Sequence, residues 1–291
     1  HTENARRALT AMGSFLAGMV CSRGLMFGKY APFGVAVVAA APRGGLWAGA
    51  IGAFLGYLIP SPVYVPARYA AALVAVTAIR WALSELKSIN THPLFAPAAA
   101  FLPLLLTGMT MVFLNGSISY TAALYVAESF LGAGSAYFLR RSVNLLTGLG
   151  ADGQERSWAR AAVFDAGDMA AVSVSVGILL LAFSDVNIMG VSVGRILMVL
   201  LVLCCARAGG ISGGAVAGVA AGAIQGLATA GLSYLSGAYG LGGLMAGVFA
   251  PMGAVAAAVA FIISHGVASL QVGSGGSQIF TGSIEVAVAT V

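Results

Sequence analysis

Two acidic residues stand out because each lies inside an apolar segment. Glu128 occurs in YVAESF, and Glu285 occurs in GSIEVA. A carboxylate in hydrocarbon is costly, so such residues usually face a bundle interior or pair with another group. Two interpretations follow. One is an ion or proton relay with Arg23, Arg68 or Arg195 as counter-charges, and the other is a hydrogen-bonded glutamate that ties one helix to its neighbour.

The remaining reactive side chains are sparse. Arg195 opens GRILMVLLVLCC, where we expect it to extend to the outer membrane interface, with pairing to a glutamate as the alternative. His92 and His265 have no second metal ligand in sequence reach. The three cysteines are interpreted as packing residues: Cys21, Cys204 and Cys205. With no nucleophile set, phosphate loop or metal set, we expect no enzyme activity and no cofactor in these residues.

Composition places these residues in a membrane. The chain has 291 residues, of which 59% are hydrophobic and 8% are charged, whereas soluble domains carry about 25% charged residues. A chain of this length cannot hide so much apolar surface from water, so lipid is the expected solvent. The formal charge of +5 is spread over short connections, which indicates a topology signal and not nucleic-acid binding.

Two glycine-rich segments predict close helix packing. The first carries Gly45, Gly49, Gly52 and Gly56. The second, GISGGAVAGVAAGAIQG, has glycine at every fourth position: Gly210, Gly214, Gly218, Gly222 and Gly226. Inside a bilayer such a segment is driven to be helical, and its glycine stripe lets another helix approach closely. We therefore expect both helices in the bundle interior, packed against close neighbours or against each other.

The apolar segments predict an all-α polytopic bundle of 10–12 spans, forming a single integral membrane domain over residues 1–291. With a cytoplasmic N-terminus and twelve crossings, ten of the fourteen Lys and Arg residues fall inside the cell: Arg6, Arg7, Arg43, Arg80, Lys87, Arg140, Arg141, Arg156, Arg160 and Arg207. The four that fall outside are Arg23, Lys29, Arg68 and Arg195. Both chain ends are then cytoplasmic. The short segments, 30–42 and 240–250, are expected to be half-helices or to merge with neighbours.

The two halves of the chain resemble each other. Segments 8–139 and 169–291 would each hold six apolar stretches, joined by a cytoplasmic loop at 140–168. In each half a glycine-rich segment comes third and a segment with a single acid comes last. This order predicts a parallel repeat of the kind found in some transporters.

The order of several motifs also resembles the membrane region of the stage II sporulation protein E family. The similar stretches, which together span nearly the whole chain, are SFLAG (Ser14–Gly18), APFG (Ala31–Gly34), VAESFLGAGSAYFL (Val126–Leu139), the arginine, apolar and glycine-rich run Gly194–Gly231, GLGGLMAGVF (Gly240–Phe249) and the closing segment with Glu285. One departure is Arg23, because the family's early arginine tends to lie nearer the Phe-Leu-x-Gly motif.

The resemblance implies a function that composition does not. Members of that family are multi-pass proteins of endospore-forming bacteria that sit at the asymmetric division septum and associate with the division machinery. A cytoplasmic PPM-type serine/threonine phosphatase, which uses Mn²⁺ or Mg²⁺, follows the membrane region and activates the first forespore sigma factor. Such a phosphatase would follow Val291 and is absent from these residues.

Two functions are therefore expected from the sequence. The first is a membrane anchor and assembly region that holds a cytoplasmic phosphatase at the septum, with the lipid bilayer, other copies of the chain and the division machinery as partners. Packing of several copies would raise the local concentration of their cytoplasmic domains. The alternative is a small-molecule or ion transporter or channel that uses Glu128 and Glu285.

Overall fold

The computed structural model describes residues 2–26, 29–59, 67–115, 120–146, 166–183, 187–188, 191–228 and 235–271. These residues are helical apart from their connections and one hairpin of two two-residue strands, so the all-α prediction is confirmed at that level. The chain divides into two compact units, His1–Trp158 and Ala159–Val291. The division lies within the stretch predicted to join two halves, and the repeat itself stays a prediction.

Unit 1 contains seven α-helices among its described residues: α1 Thr2–Cys21, α2 Phe33–Ala40, α3 Leu46–Leu58, α4 Ala67–Ala82, α5 Lys87–Thr91, α6 Phe95–Asn115 and α7 Tyr120–Leu146. One predicted boundary is wrong. The loop was predicted to begin at residue 140, whereas α7 continues to Leu146 and its Arg140 donates to the Ala40 carbonyl of α2.

Helix α2 is the centre of unit 1. Its eight residues are all buried, and it contacts α1, α3, α4, α6 and α7. At 1.5 Å per residue α2 is about 12 Å long, far less than the roughly 30 Å of a bilayer core. Pro32 precedes its first turn, and Ala41 and Pro42 end it in extended conformation. The segment therefore forms a separate short helix and does not merge with its neighbours, and its role as a half-helix in a membrane stays a prediction.

Helices α1 and α3 lie parallel in close backbone contact. A Cβ added to Gly52 would overlap the carbonyl oxygen of Phe15, and one added to Gly56 would overlap groups of Met19 and Ser22. At the other end of α3, a Cβ on Gly45 would overlap the Ser14 side chain. Gly49 leaves room for an ordinary contact with Ser14, at 3.6 Å from its carbonyl oxygen.

Unit 2 contains α8 Ala166–Leu181, the antiparallel strands β1 Asn187–Ile188 and β2 Val191–Ser192, α9 Val193–Ala228, α10 Leu235–Phe249 and α11 Ala254–Gln271. The α9 helix is sharply bent at Gly210, where φ is 60° and ψ is −141°, a conformation essentially restricted to glycine. A Cβ on Gly214 would lie 3.0 Å from the Cβ of Ala206. Since residues eight apart in a straight helix are about 12 Å apart, the second arm of α9 turns back toward the first.

The bend corrects the expectation of one continuous glycine stripe. Gly210 forms the bend between arms 193–209 and 211–228 instead of extending a straight helical face. Gly214 and Gly218 lie against α10, where an added Cβ would overlap the carbonyl oxygens of Gly243 and Tyr239, respectively. Gly222 is buried and Gly226 is half-buried further along the same arm. Each glycine-rich segment therefore has a close partner helix within its own unit.

Three helices among the described residues are long and apolar enough to cross a membrane: Phe95–Leu114, Tyr120–Leu145 and Val193–Gly226. The third of these includes the bend at Gly210. Large apolar side chains such as Phe113, Leu114 and Val255 point outward, as expected for surfaces that face lipid. These features are compatible with a membrane protein, and the span number of 10–12 stays a prediction.

We expect Gly218→Ala to destabilise unit 2, because the new methyl group would overlap the backbone of α10. Overpacking of this kind costs about 1–3 kcal/mol. The matched control is Gly266→Ala in α11, where nothing lies within 4 Å of the added Cβ and alanine favours the helix by about 1 kcal/mol. Thermal denaturation in detergent should lower the midpoint for the first variant only. Equal midpoints would contradict close packing of α9 on α10.

Candidate polar site in unit 1

Buried polar side chains meet where α4 and α7 pass the start of α2. Arg68 and Tyr69 come from the first turn of α4, and Glu128 comes from α7. Only 6% of Arg68, 1% of Tyr69 and 2% of Glu128 is exposed. Charged and hydrogen-bonding groups this deeply buried require partners, and these three residues provide them for each other.

Arg68 and Glu128 form an ion pair in which both carboxylate oxygens are engaged. The Nη2 of Arg68 donates to Oε2, and the hydroxyl of Tyr69 donates to Oε1. The same Nη2 also donates to the Tyr69 hydroxyl at 2.7 Å. Glu128 is therefore tied to α4 through two separate bonds. This geometry matches the interpretation of a glutamate that joins neighbouring helices.

Tyr69 also connects the ion pair to the backbone that leads into α2. Its hydroxyl accepts the Ala31 N–H at 2.8 Å, so the hydroxyl makes three hydrogen bonds, one as donor and two as acceptor. The carbonyl of Ala31 accepts the Tyr57 hydroxyl at 2.6 Å. The rings of Tyr57 and Tyr69 stack with centroids 5.3 Å apart. Tyr57 of α3 and Tyr69 of α4 thus hold in place the backbone that precedes α2.

Aromatic rings enclose the guanidinium of Arg68. Its Cζ lies 4.5 Å from the Tyr69 ring centroid and 4.4 Å from that of Tyr125, distances at which cation–π attraction operates. Gly108 of α6 leaves the necessary room, since an added Cβ would lie 2.8 Å from the Tyr125 Cβ and 3.3 Å from Nη1 of Arg68. That Nη1 is buried and has no hydrogen-bond partner among the described residues. Aromatic faces therefore supply part of its stabilisation.

The opposite end of α2 is covered by arginines. Arg80 donates through Nη2 to the Ala41 carbonyl, and Arg140 donates through Nη1 to the carbonyls of Ala40 and Ala41, each at 3.3 Å. The last carbonyls of a helix have no partner within it. Positive charge at this end also complements the helix dipole. The arginines therefore supply donors for the carbonyl of the last helical residue, Ala40, and for that of Ala41.

The structure selects one of the counter-charges proposed for Glu128. Arg68 pairs with it, whereas Arg23 is exposed beyond the end of α1. Arg195 is half-buried in the first turn of α9, in the other unit. Glu285 lies outside the described residues, so a relay between the two glutamates stays a prediction.

Several contributing residues were missed from the sequence. From the sequence, Arg80 and Arg140 are interpreted only as topology signals. The tyrosines Tyr57, Tyr69 and Tyr125 are not singled out. A usable signal was present for the arginines: an apolar stretch that ends at Ala41-Pro42 exposes carbonyls that need donors from elsewhere. The tyrosines Tyr57 and Tyr69 carry no such signal, because their partners lie 26 and 38 residues away in the chain.

Among the described residues, the histidines and cysteines form no comparable site. His265 stacks on Phe261, with centroids 5.8 Å apart, and meets the edge of Tyr239. Cys205 lies 3.7 Å from the Ser173 hydroxyl, and all three cysteines are free thiols. Cys204, however, is exposed, so its interpretation as a packing residue was wrong. Within the described ranges, no group of three or more His, Cys, Asp or Glu side chains is placed to hold a metal ion.

No protein-family model, curated protein or solved structure matches this chain. The resemblance to the stage II sporulation protein E family therefore remains a prediction from the sequence motifs.

We expect the Arg68–Glu128 pair to behave as one structural unit. Removing a single partner, by Arg68→Met or Glu128→Leu, leaves a buried charge alone and should cost about 3–5 kcal/mol. The double variant should recover much of that loss, because neither charge remains. Thermal denaturation of the four proteins in detergent measures the coupling. Strictly additive losses would contradict it.

Proposed function

We propose that these residues are the membrane-embedded anchor and assembly region of a larger protein. The observation that carries this proposal is the bonding within the polar site. Both carboxylate oxygens of Glu128 accept hydrogen bonds from the protein, and aromatic rings enclose Arg68. A carboxylate used to carry ions must exchange partners, whereas one used to join helices keeps them. The backbone contacts through Gly52 and Gly218 support the same conclusion, since they favour fixed helix packing.

The proposed protein is a multi-pass protein of the cell membrane with both ends in the cytoplasm. Charge supports this orientation: Arg43, Arg80 and Arg140, all placed inside by the positive-inside rule, lie at one end of unit 1. Arg68, placed outside by the same rule, lies at the start of α4, about 18 Å along that helix from Arg80. The parallel course of α1 and α3, with α2 between them in sequence, agrees with alternating crossings.

The motif resemblance supplies the biological role in this proposal. The membrane region holds a cytoplasmic PPM-type serine/threonine phosphatase, with its own Mn²⁺ or Mg²⁺, at the asymmetric septum of a sporulating bacterium. There the phosphatase activates the first forespore sigma factor, and the division machinery and other copies of the chain are the partners. Grouping of several copies would raise the effective concentration of their phosphatase domains.

A fluorescent fusion tests this role directly. Residues 1–291 joined to a fluorescent protein should be found in the membrane and concentrate at the asymmetric septum of sporulating cells. A Gly266→Ala fusion serves as the matched neutral variant, and Gly218→Ala should reduce septal signal if packing of α9 is needed for assembly. Uniform fluorescence around the cell membrane, with the protein intact, would contradict the septal role while leaving membrane embedding in place.

Transport is the second candidate, and the buried half-helix favours it. Helices that end inside a bundle are typical of transporter binding sites, and α2 has both ends within unit 1, near charged side chains. Purified protein in liposomes separates the candidates. Ion or proton flux that disappears in Glu128→Gln would favour transport, whereas no flux above empty liposomes favours the anchor.

A further inference from the structure

A second polar feature, distinct from the polar site around Arg68 and Glu128, is a cavity at the end of unit 1 where Arg43 and Arg80 lie. Its volume is about 320 Å³, and it lies between the start of α3, the end of α4 and α5. The lining residues that matter here are Arg43, Arg80, Trp47, Trp81, Glu85 and Asn90. Small-molecule sites begin at about 300 Å³, so the cavity accepts a headgroup-sized ligand.

Arg80, one of the residues that line the cavity, has a side-chain donor that the described residues leave unused. Arg80 is only 3% exposed. Its Nη2 donates to the Ala41 carbonyl and its Nη1 to Asn90 Oδ1 at 3.4 Å, but its Nε has no hydrogen-bond partner in the described part of the chain. A buried N–H without a partner is unfavourable. The Arg80 guanidinium therefore keeps hydrogen-bonding capacity that the described part of the chain does not satisfy.

The charge of the lining favours an anion. Arg43 donates one N–H to the Ser84 carbonyl, and a guanidinium has five N–H groups in all. The charged residues of the lining are two arginines and one glutamate, Glu85. Asn90 holds α5 in place by donating to the carbonyls of Leu83, at 2.7 Å, and Ser84, at 3.1 Å. Arginine is well suited to phosphate because its planar donors match the phosphate oxygens.

The surroundings place the cavity at the level of lipid headgroups. Two of the chain's three tryptophans line it, Trp47 at 59% and Trp81 at 63% exposed. Tryptophan is enriched at membrane–water interfaces. Exposed apolar side chains flank α5 in sequence and lie within it: Leu86, Ile89 and Leu94. A polar cavity bordered by aromatic and aliphatic side chains matches both parts of a phospholipid.

We infer that this cavity binds the phosphate headgroup of an anionic phospholipid on the cytoplasmic side. Arg43 and Arg80 contact the phosphate, and the tryptophans lie beside the glycerol region. Basic pockets between membrane helices are known to recognise such headgroups. The inference rests on membrane embedding and orientation in the proposed function, and it is independent of the sporulation role.

Tryptophan quenching by brominated lipids tests the inference. The chain is reconstituted in phosphatidylcholine bilayers, in a Trp158→Phe background so that only Trp47 and Trp81 report. Brominated phosphatidylglycerol or brominated phosphatidylcholine is then added at increasing mole fraction. We expect the phosphatidylglycerol to quench at several-fold lower mole fraction than the phosphatidylcholine.

Three substitutions test whether the cavity causes the lipid preference: two at exposed positions of its lining and one control elsewhere. Arg43→Gln should weaken the preference for phosphatidylglycerol about fivefold, the effect of about one basic side chain at an anionic surface. Glu85→Gln should strengthen the preference, because a repelling carboxylate is removed. Arg23→Gln, an exposed arginine away from the cavity, should leave it unchanged.

The contradicting outcomes are distinct. Equal quenching by both lipids, or a preference unaffected by Arg43→Gln and Glu85→Gln, overturns the lipid site but leaves membrane embedding intact. Relief of phosphatidylglycerol quenching by millimolar inorganic phosphate, at constant ionic strength, would assign the cavity to a soluble phosphate instead. Absence of quenching by either lipid would contradict the proposed membrane embedding itself.

Discussion

A helix that ends inside a bundle must find hydrogen-bond partners for its terminal backbone groups. In α2 this constraint applies at both ends, because all eight residues are buried. Before its first turn, Tyr57 and Tyr69 bond the carbonyl and the N–H of Ala31. At its end, Arg80 and Arg140 donate to the last carbonyls. Polar side chains from α3, α4 and α7 therefore form hydrogen bonds with the backbone at the two ends of this one short helix.

The ion pair follows from the same constraint. Tyr69 bonds both the backbone before α2 and Glu128, so the carboxylate, its Arg68 partner and the start of α2 form one connected network. Buried networks of this kind are unfavourable when incomplete and rigid when complete. Apolar packing then closes unit 1 around it, and Gly52 allows α3 to approach α1 closely enough to carry Tyr57 into position. Unit 2 uses close backbone contact in the same way, between Gly218 of α9 and α10.

The sequence predicts the helical class and the close packing at glycine more readily than the polar site. Composition alone indicates helices in lipid, and the spacing from Gly214 to Gly218 indicates a close neighbour. The bend at Gly210 is harder to foresee, because a glycine that continues a stripe and one that breaks a helix look alike without backbone angles. The pairing of Glu128 with Arg68 was only one of three options, since partners 60 residues apart meet through tertiary packing. Arg80 and Arg140, which donate to the carbonyls at the end of α2, fit the sequence equally well as topology signals. The sequence alone therefore does not favour their capping role over that interpretation.

The central claim is that side chains from other helices hold both ends of α2, and hydrogen–deuterium exchange of residues 33–41 tests it most directly. The account predicts strong protection of these amides in the purified protein. It also predicts faster exchange in Tyr69→Phe, which loses the bridge to Ala31, and in Arg140→Met, which loses the donor to Ala40 and Ala41. Tyr137→Phe and Arg23→Gln serve as controls with unchanged exchange. Equal protection of this segment in all five proteins would contradict the account.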